Sequence, residues 1–182
     1  YVQQRVGLNR RKKLQSEMNQ ISEDRIQCSE RRISKSAGQV FSLLKFRTMV
    51  CDAEKKCGPV WAVKNDPRIT KIGKILRKTR LDEIPQFLNV LKGEMSLVGP
   101  RPERPFFVKD FVNTIPNYEL RCMVKPGITG LSQINNGYDD SLDSVIRKVN
   151  YDIDYIKRWN ILNDLKIILR TVMVVFTTKG AL

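Results

Sequence analysis

The 182-residue chain contains no histidine. That absence removes Ser-His-Asp and Cys-His hydrolysis, phosphohistidine transfer and every zinc site built on imidazole. Cysteine is scarce too. Cys28, Cys51, Cys57 and Cys122 make no C-x-x-C pair and no repeated spacing, which disfavours a four-thiolate zinc site and favours scattered reduced thiols. No run of about 18 uninterrupted apolar residues occurs, because Asp164, Lys166 and Arg170 break the best stretch, 161–178; no bilayer-spanning helix is expected. The chain has neither a P-loop nor a dinucleotide fingerprint, so nucleotide hydrolysis of the usual kind is disfavoured. Internal repeats and low-complexity tracts are absent as well. Catalysis must therefore draw on carboxylates, Lys, Arg, hydroxyls or thiols.

Positive charge is what the chain has in excess. Lys and Arg number 33 against 19 Asp and Glu, a net charge of +14. Residues 1–50 contribute +7, residues 51–100 +4, and the remaining 82 only +3. A basic amino-terminal half implies an anionic partner, whether nucleic acid, anionic lipid or a phosphorylated substrate, although a merely solvated surface would look similar. With 41% hydrophobic residues and 8% aromatic ones, this length suits one domain with a real core.

Arg10–Arg32 is highly charged and opens with Arg10, Arg11, Lys12 and Lys13, while Leu14, Met18 and Ile21 recur at helical spacing. It reads as a solvated helix or an insertion, followed by a loop at Ser34–Gly38. Val40–Met49 reads as a strand, which would send Lys45 and Arg47 out of one face. An edge strand protected by positive charge reads the same way. Asn65-Asp66-Pro67 signals a turn, and Thr70 is a fair N-cap for a helix to about Lys78 with an Ile72, Ile75, Leu76 stripe. Leu81, Ile84, Phe87, Leu88 and Leu91 continue at threes and fours to a capping Gly93. Pro85 is tolerated only in a first turn, which predicts a helix beginning near Asp82. Pro100, Pro102 and Pro105 make Ser96–Pro105 stiff and extended, and Lys125–Gly130 reads as a turn-rich loop. Ser141–Trp159 and Leu162–Val175 read as helices, with Trp159 and Tyr155, like Trp61, as core or interfacial anchors.

Asp82 and Glu83 are adjacent acids at a predicted helix start, where exposed amides favour ionised carboxylates. Taken alone, such a pair is better explained as ordinary helix punctuation. Alternatively, since successive helical residues diverge by about 100°, one acid could attack while the other held a metal or relayed a proton. Arg77 and Arg80 precede the pair, and Arg101 rides the proline-stiffened loop. Carboxylates meeting such cations suit metal-dependent phosphoryl transfer, provided the segments converge.

The order of motifs adds a resemblance. Lys45-Phe46-Arg47-Thr48-Met49, Asn65-Asp66-Pro67-Arg68-Ile69-Thr70, Leu81-Asp82-Glu83-Ile84-Pro85-Gln86, Ser96-Leu97-Val98-Gly99-Pro100-Arg101-Pro102-Glu103 and Lys125-Pro126-Gly127-Ile128-Thr129-Gly130 follow one another along the chain. Together they closely resemble the bacterial sugar transferases, the monotopic polyprenyl-phosphate phosphoglycosyl transferases. The likeness runs from Val40 to the carboxyl terminus, with a Gln4–Asn9 lead-in.

The resemblance implies transfer of a sugar 1-phosphate from a UDP-sugar to a polyprenyl (undecaprenyl) phosphate, with release of UMP. It makes Asp82 the nucleophile and Glu83 its partner, with Mg2+ held by Glu83 and Asp82. Arg77 matches a family arginine near the phosphate site, and Lys45, Arg47 and Arg101 occupy motif positions read as phosphate or nucleotide contacts. The Pro-Arg-Pro-Glu variant looks like exopolysaccharide-type members, often glucose or galactose transferases.

The fold expected is α+β: one predominantly helical catalytic domain over 1–182, with a small β-hairpin and amphipathic helices on the cytoplasmic face of the bacterial inner membrane. Residues 10–37 stand as an insertion where the family has a short turn. The re-entrant membrane helix that the family places before the lead-in is expected to be absent from this chain. UDP-sugar, polyprenyl phosphate and a membrane surface are the expected partners, nucleic acid is not, and a homodimer is left open. The rivals are a basic nucleic-acid-binding module, for which no helix-turn-helix, zinc or aromatic-platform signature appears, and a folded but catalytically silent fragment.

Overall fold

Strand β1 (Val2–Gly7) pairs antiparallel with β2 (Gln39–Leu44), Val2 opposite Leu44 and Gly7 opposite Gln39. The computed structural model describes residues 2–7, 39–54, 66–136 and 141–176. The expected helix at Arg10–Arg32, the insertion 10–37, the loop at Ser34–Gly38, Trp61 and two of the four cysteines (Cys28 and Cys57) lie outside them. Alternation along β2 turns Phe41 and Leu43 inward, where they pack with Met95.

The strand expected over Val40–Met49 stops at Leu44 because the backbone changes partners there. Phe46 N donates to Asp82 O, Thr70 N to Thr48 O and Val50 N to Arg68 O, so the chain is tied to the following turns instead of a ladder. Helix α1 (Lys71–Lys78) begins where expected, with Thr70 Oγ1 accepting from Gly73 N at 2.9 Å.

The next helix does not begin at Asp82. Leu81–Glu83 forms a 3₁₀ turn and α2 spans Gln86–Leu91. Pro85 has no N–H to give Leu81 O, so Ile84 N takes that carbonyl in an i→i−3 bond. Gly93, at φ 77°, closes α2 from the left-handed region as its sequence position implied.

Strand β3 (Ser96–Val98) pairs in parallel with β4 (Gly127–Thr129), so the Lys125–Gly130 loop contains a strand that its turn residues concealed. Between them lie α3 (Pro105–Thr114), started by Pro105, and 3₁₀ turns over Tyr118–Met123. A short α4 (Leu131–Asn135) leads to α5 (Leu142–Lys157), capped reciprocally by Ser141 and Ser144, and α6 (Ile161–Phe176) follows. The fold is α+β and mostly helical.

The main core joins Val6 of β1, Val108, Phe111 and Ile115 around α3, Tyr118, and Val145 and Val149 of α5. A second cluster holds α6 through Ile167 against Val98, Tyr155 and Ile156. Each such buried side chain contributes about 1.5–3 kcal/mol.

Three helices run against this logic. In α2 the polar Gln86 and Asn89 are buried while Phe87, Leu88 and Leu91 are exposed, Leu91 by 83%. The apolar stripe of α1 is likewise open, with Ile72 and Ile75 exposed. Along α6, Leu162, Leu165, Leu169 and Met173 form another exposed stripe, with Trp159 and Ile161 exposed at its start. Scattered apolar residues on a surface are ordinary; continuous stripes at helical spacing mark a surface that meets something apolar. Among the described residues, no helix is long and apolar enough to cross a membrane.

Candidate active site

Asp82 sits in the 3₁₀ turn between α1 and α2, and two devices fix it. Arg80 adopts the left-handed region (φ 58°), reversing the chain after α1 at a cost of about 1–2 kcal/mol. The Asp82 carbonyl accepts from Phe46 N at 3.0 Å, locking the turn to the exit of β2. That exit is itself held by buried Asn89, whose Oδ1 accepts from Leu44 N and whose Nδ2 donates to Ser42 O and Glu94 Oε2.

Glu83 is bracketed by two cations from distant segments. Its Oε1 lies 2.9 Å from Lys45 Nζ and 2.7 Å from Arg101 Nη2. Burial alone would raise the Glu83 pKa, but the Arg101 and Lys45 charges and their hydrogen bonds outweigh it and hold the carboxyl well below its usual range. The Lys45 pKa is lowered, chiefly by burial, with Glu83 opposing the shift. The Arg101 pKa is raised, chiefly by Glu83.

Asp82 is in the opposite condition. Among the described residues its carboxylate accepts no hydrogen bond, although the residue is only 8% exposed. Burial first, and the Glu83 charge second, raise its pKa; Lys45, Arg77 and Arg101 oppose them. Two adjacent acids thus have environments that push them apart, one locked as an anion and one left bare.

Arg77 reaches the site along α1, its Nε donating to Thr48 Oγ1 at 2.9 Å. The helix comes this close because residue 73 is glycine: a Cβ there would lie 2.0 Å from Thr48 O. Arg101 is delivered by a clamped loop. Gly99 N bonds Thr129 O, Gly127 N bonds Pro100 O, and Arg121 Nη2 bonds Arg101 O, each at 2.9 Å. Arg47 is exposed, its Nη1 donating to Cys51 Sγ. Cys51 and Cys122 are free thiols.

Lys45, Arg47, Arg77, Asp82, Glu83 and Arg101, the six residues singled out from sequence, line one cleft of about 1460 Å³. Lys45 and Arg47 reach it without the strand alternation expected of them, since β2 has ended. Lys45 and Arg101 are committed to Glu83, whereas Arg47 and Arg77 pair with no carboxylate among the described residues. Sequence reasoning missed Thr48, which anchors Arg77, and the buried group around Arg121. Thr48 stands inside the Lys45–Met49 motif, which could have marked it, whereas Arg121 and Asp152 carry no local pattern.

Among the described residues, no cluster of three or more acids or thiols could cage a metal. A magnesium site does not need one, since that ion takes one or two carboxylates and completes its shell with phosphates and water. Among the described residues Asp82 accepts no hydrogen bond, and both cations on Glu83 use Oε1, leaving Oε2. The pair fits such an ion.

Comparison with known proteins matches this arrangement to one family. Residues 17–178 match the family described as bacterial sugar transferase. A UDP-glucose:undecaprenyl-phosphate glucose-1-phosphate transferase of Klebsiella pneumoniae is 48% identical over 147 residues, covering 79% of this chain and 31% of the relative. A UDP-N-acetylgalactosamine-undecaprenyl-phosphate N-acetylgalactosaminephosphotransferase of Aeromonas hydrophila is 43% identical over 141 residues, 78% of this chain and 33% of the relative. A glucose-1-phosphate transferase of Caulobacter vibrioides, also acting from UDP-glucose to undecaprenyl phosphate, is 43% identical over 79% of this chain and 54% of its own length. The chain spans about a third of the length of the first two and about half of the third. With its motifs in family order, its Asp-Glu turn ringed by cations, and a match over most of its length, this chain belongs to the bacterial sugar transferase family.

Proposed function

We propose that the protein transfers a sugar 1-phosphate from a UDP-sugar to undecaprenyl phosphate, releasing UMP. The observation that carries this reading is the bare Asp82 carboxylate beside a Glu83 fixed by Lys45 and Arg101. A carboxylate free of hydrogen bonds keeps its lone pairs for attack, and surrounding cations let it approach a diphosphate.

The step balances without any redox partner. An Asp82 oxygen attacks the phosphorus that bears the sugar. The bond from that phosphorus to the bridging oxygen breaks, and its electron pair leaves with UMP. An oxygen of undecaprenyl phosphate then attacks the aspartyl-bound phosphorus, giving the diphosphate-linked lipid sugar and regenerating Asp82. Arg47 and Arg77, which pair with no carboxylate among the described residues, supply phosphate contacts. Lys45 and Arg101 add charge while holding Glu83 ionised. Asp82 and Glu83 would hold Mg2+, which when bound supplies charge neutralisation at the diphosphate oxygens.

The inside-out α2 and the exposed stripes of α1 and α6 support a protein that lies on a bilayer. A lipid acceptor requires contact with a membrane surface, and on this reading that surface is the cytoplasmic face of the inner membrane. The relatives name glucose and N-acetylgalactosamine, so the donor is identified by assay. The protein is incubated in detergent with magnesium, undecaprenyl phosphate and a panel of UDP-sugars, and UMP is measured. Release with one donor, lost in Asp82→Asn, is expected; no release with any donor, or release unaffected by that change, contradicts the proposal.

A further inference from the structure

The buried charges around Arg121 have no part in the chemistry just described, yet they end on the loop that carries Arg101. Arg121, in the 3₁₀ segment, is 4% exposed. Its Nε and Nη2 both reach Asp152 Oδ2, at 2.9 and 2.7 Å. Its Nη1 donates to Tyr118 Oη at 3.0 Å, and its Nη2 donates to Arg101 O at 2.9 Å. Burial opposes the Arg121 charge, and Asp152 foremost, with Tyr118 and Glu103, outweighs it. Glu103, two residues beyond Arg101, is paired with Lys148 and lies 3.8 Å from Arg121 Nη1. Asp152 and Lys148 stand one turn apart on α5.

Resting on the functional reading above, we propose that Arg121 is a positioning residue for the reaction and that it acts through Arg101. Two carboxylates and two cations buried together offer no clear advantage over apolar packing, and α5 already supplies Val145 and Val149 to the core. What the network provides is geometry. Asp152 fixes the plane of the guanidinium, and one Nη2 proton is then directed at the Arg101 carbonyl. The Arg101 side chain in turn sets Glu83, beside Asp82. Lysine offers a point charge without this fork.

A double-mutant cycle reads this directly. Arg121→Lys is expected to lower kcat for UMP release by about tenfold to a hundredfold, with KM for the UDP-sugar little changed. Combined with Arg101→Met it is expected to add nothing, because the residue through which it acts is gone. Multiplying costs, or a kcat within about twofold of the parent protein, would overturn the proposal. Tyr118→Phe removes one hydroxyl from the same guanidinium and serves if Arg121→Lys fails to fold. A readout independent of turnover is the Nε–H resonance of Arg101 in arginine-labelled protein, assigned by its loss in Arg101→Met. It is expected to shift or broaden in Arg121→Lys, and an unmoved resonance overturns the inference. Absence of UMP release from the unmutated protein would instead contradict the functional reading.

Discussion

Glu83 Oε1 lies 2.7 Å from the guanidinium of Arg101, a residue 18 positions further along the chain. Lys45 meets the same oxygen from 38 positions earlier. One carboxylate oxygen thus ties the exit of β2, the 3₁₀ turn and the proline-stiffened loop together, and leaves the neighbouring Asp82 bare.

Asp82→Asn should abolish turnover and also stabilise the fold. The Asp82 pKa is raised in the folded state, so at neutral pH folding holds the anion in a poorer environment than the unfolded chain does. That penalty vanishes as pH falls below the ordinary aspartate pKa, where both states are protonated. Thermal unfolding should show a melting temperature higher by on the order of a few degrees at pH 7, with the difference gone near pH 3. An equal or lower value at pH 7 contradicts the assigned environment.

Acid should loosen the opposite set of carboxylates. Glu103 has its pKa lowered to about 2, where burial would raise it but Lys148 and Arg121 prevail; Glu83 is lowered as well. Groups with depressed folded pKa contribute stability that is fully present above their unfolded value and is lost as pH falls toward the folded one. Resistance to urea should weaken progressively from about pH 5 to pH 2. Glu103→Gln, which removes the carboxylate paired with buried Lys148 and weakens the surroundings of Arg121, should cost about 3 kcal/mol at neutral pH.

Gly73→Ala tests the approach of α1 to the site. A Cβ placed 2.0 Å from Thr48 O meets backbone that cannot rotate away. A loss of about 1–3 kcal/mol in chemical denaturation is expected, together with a raised KM for the donor as Arg77 is displaced from Thr48. An unchanged KM would remove Arg77 from substrate binding.

The exposed stripes are testable apart from catalysis. Phe87→Ser with Leu91→Ser changes residues that are 51% and 83% exposed, so the melting temperature should stay within about 2 °C. Flotation with vesicles of phosphatidylethanolamine and phosphatidylglycerol should fall several-fold. Retained flotation would leave α2 out of the bilayer contact.

Elements set by local chemistry were legible in the sequence. Thr70 announces its helix by capping, and α5 and α6 are found as helices over nearly the ranges expected. Five of the six candidate residues were marked by short motifs with distinctive chemistry, and Arg77 only by its place before the acid pair. The orientation of α2 was not legible: period alone does not say which face packs, and Asn89 is buried because β2 needs its amide, which leaves the apolar stripe outside. Nor could periodicity find β4, since a three-residue strand paired in parallel depends on Gly99 and Gly127 letting two backbones meet. Arg121 and Asp152 stayed hidden for a related reason: each is an ordinary charged residue until the fold buries it.

The covalent step is the centre of this reading, and intact-protein mass spectrometry tests it most directly. The protein is mixed with magnesium and its UDP-sugar in the absence of undecaprenyl phosphate, then quenched. One sugar-phosphate adduct per chain, mapped to the peptide carrying Asp82, absent from Asp82→Asn and discharged by added undecaprenyl phosphate, is the expected result. An adduct on another residue, or product formed with no adduct and undiminished by Asp82→Asn, would contradict it.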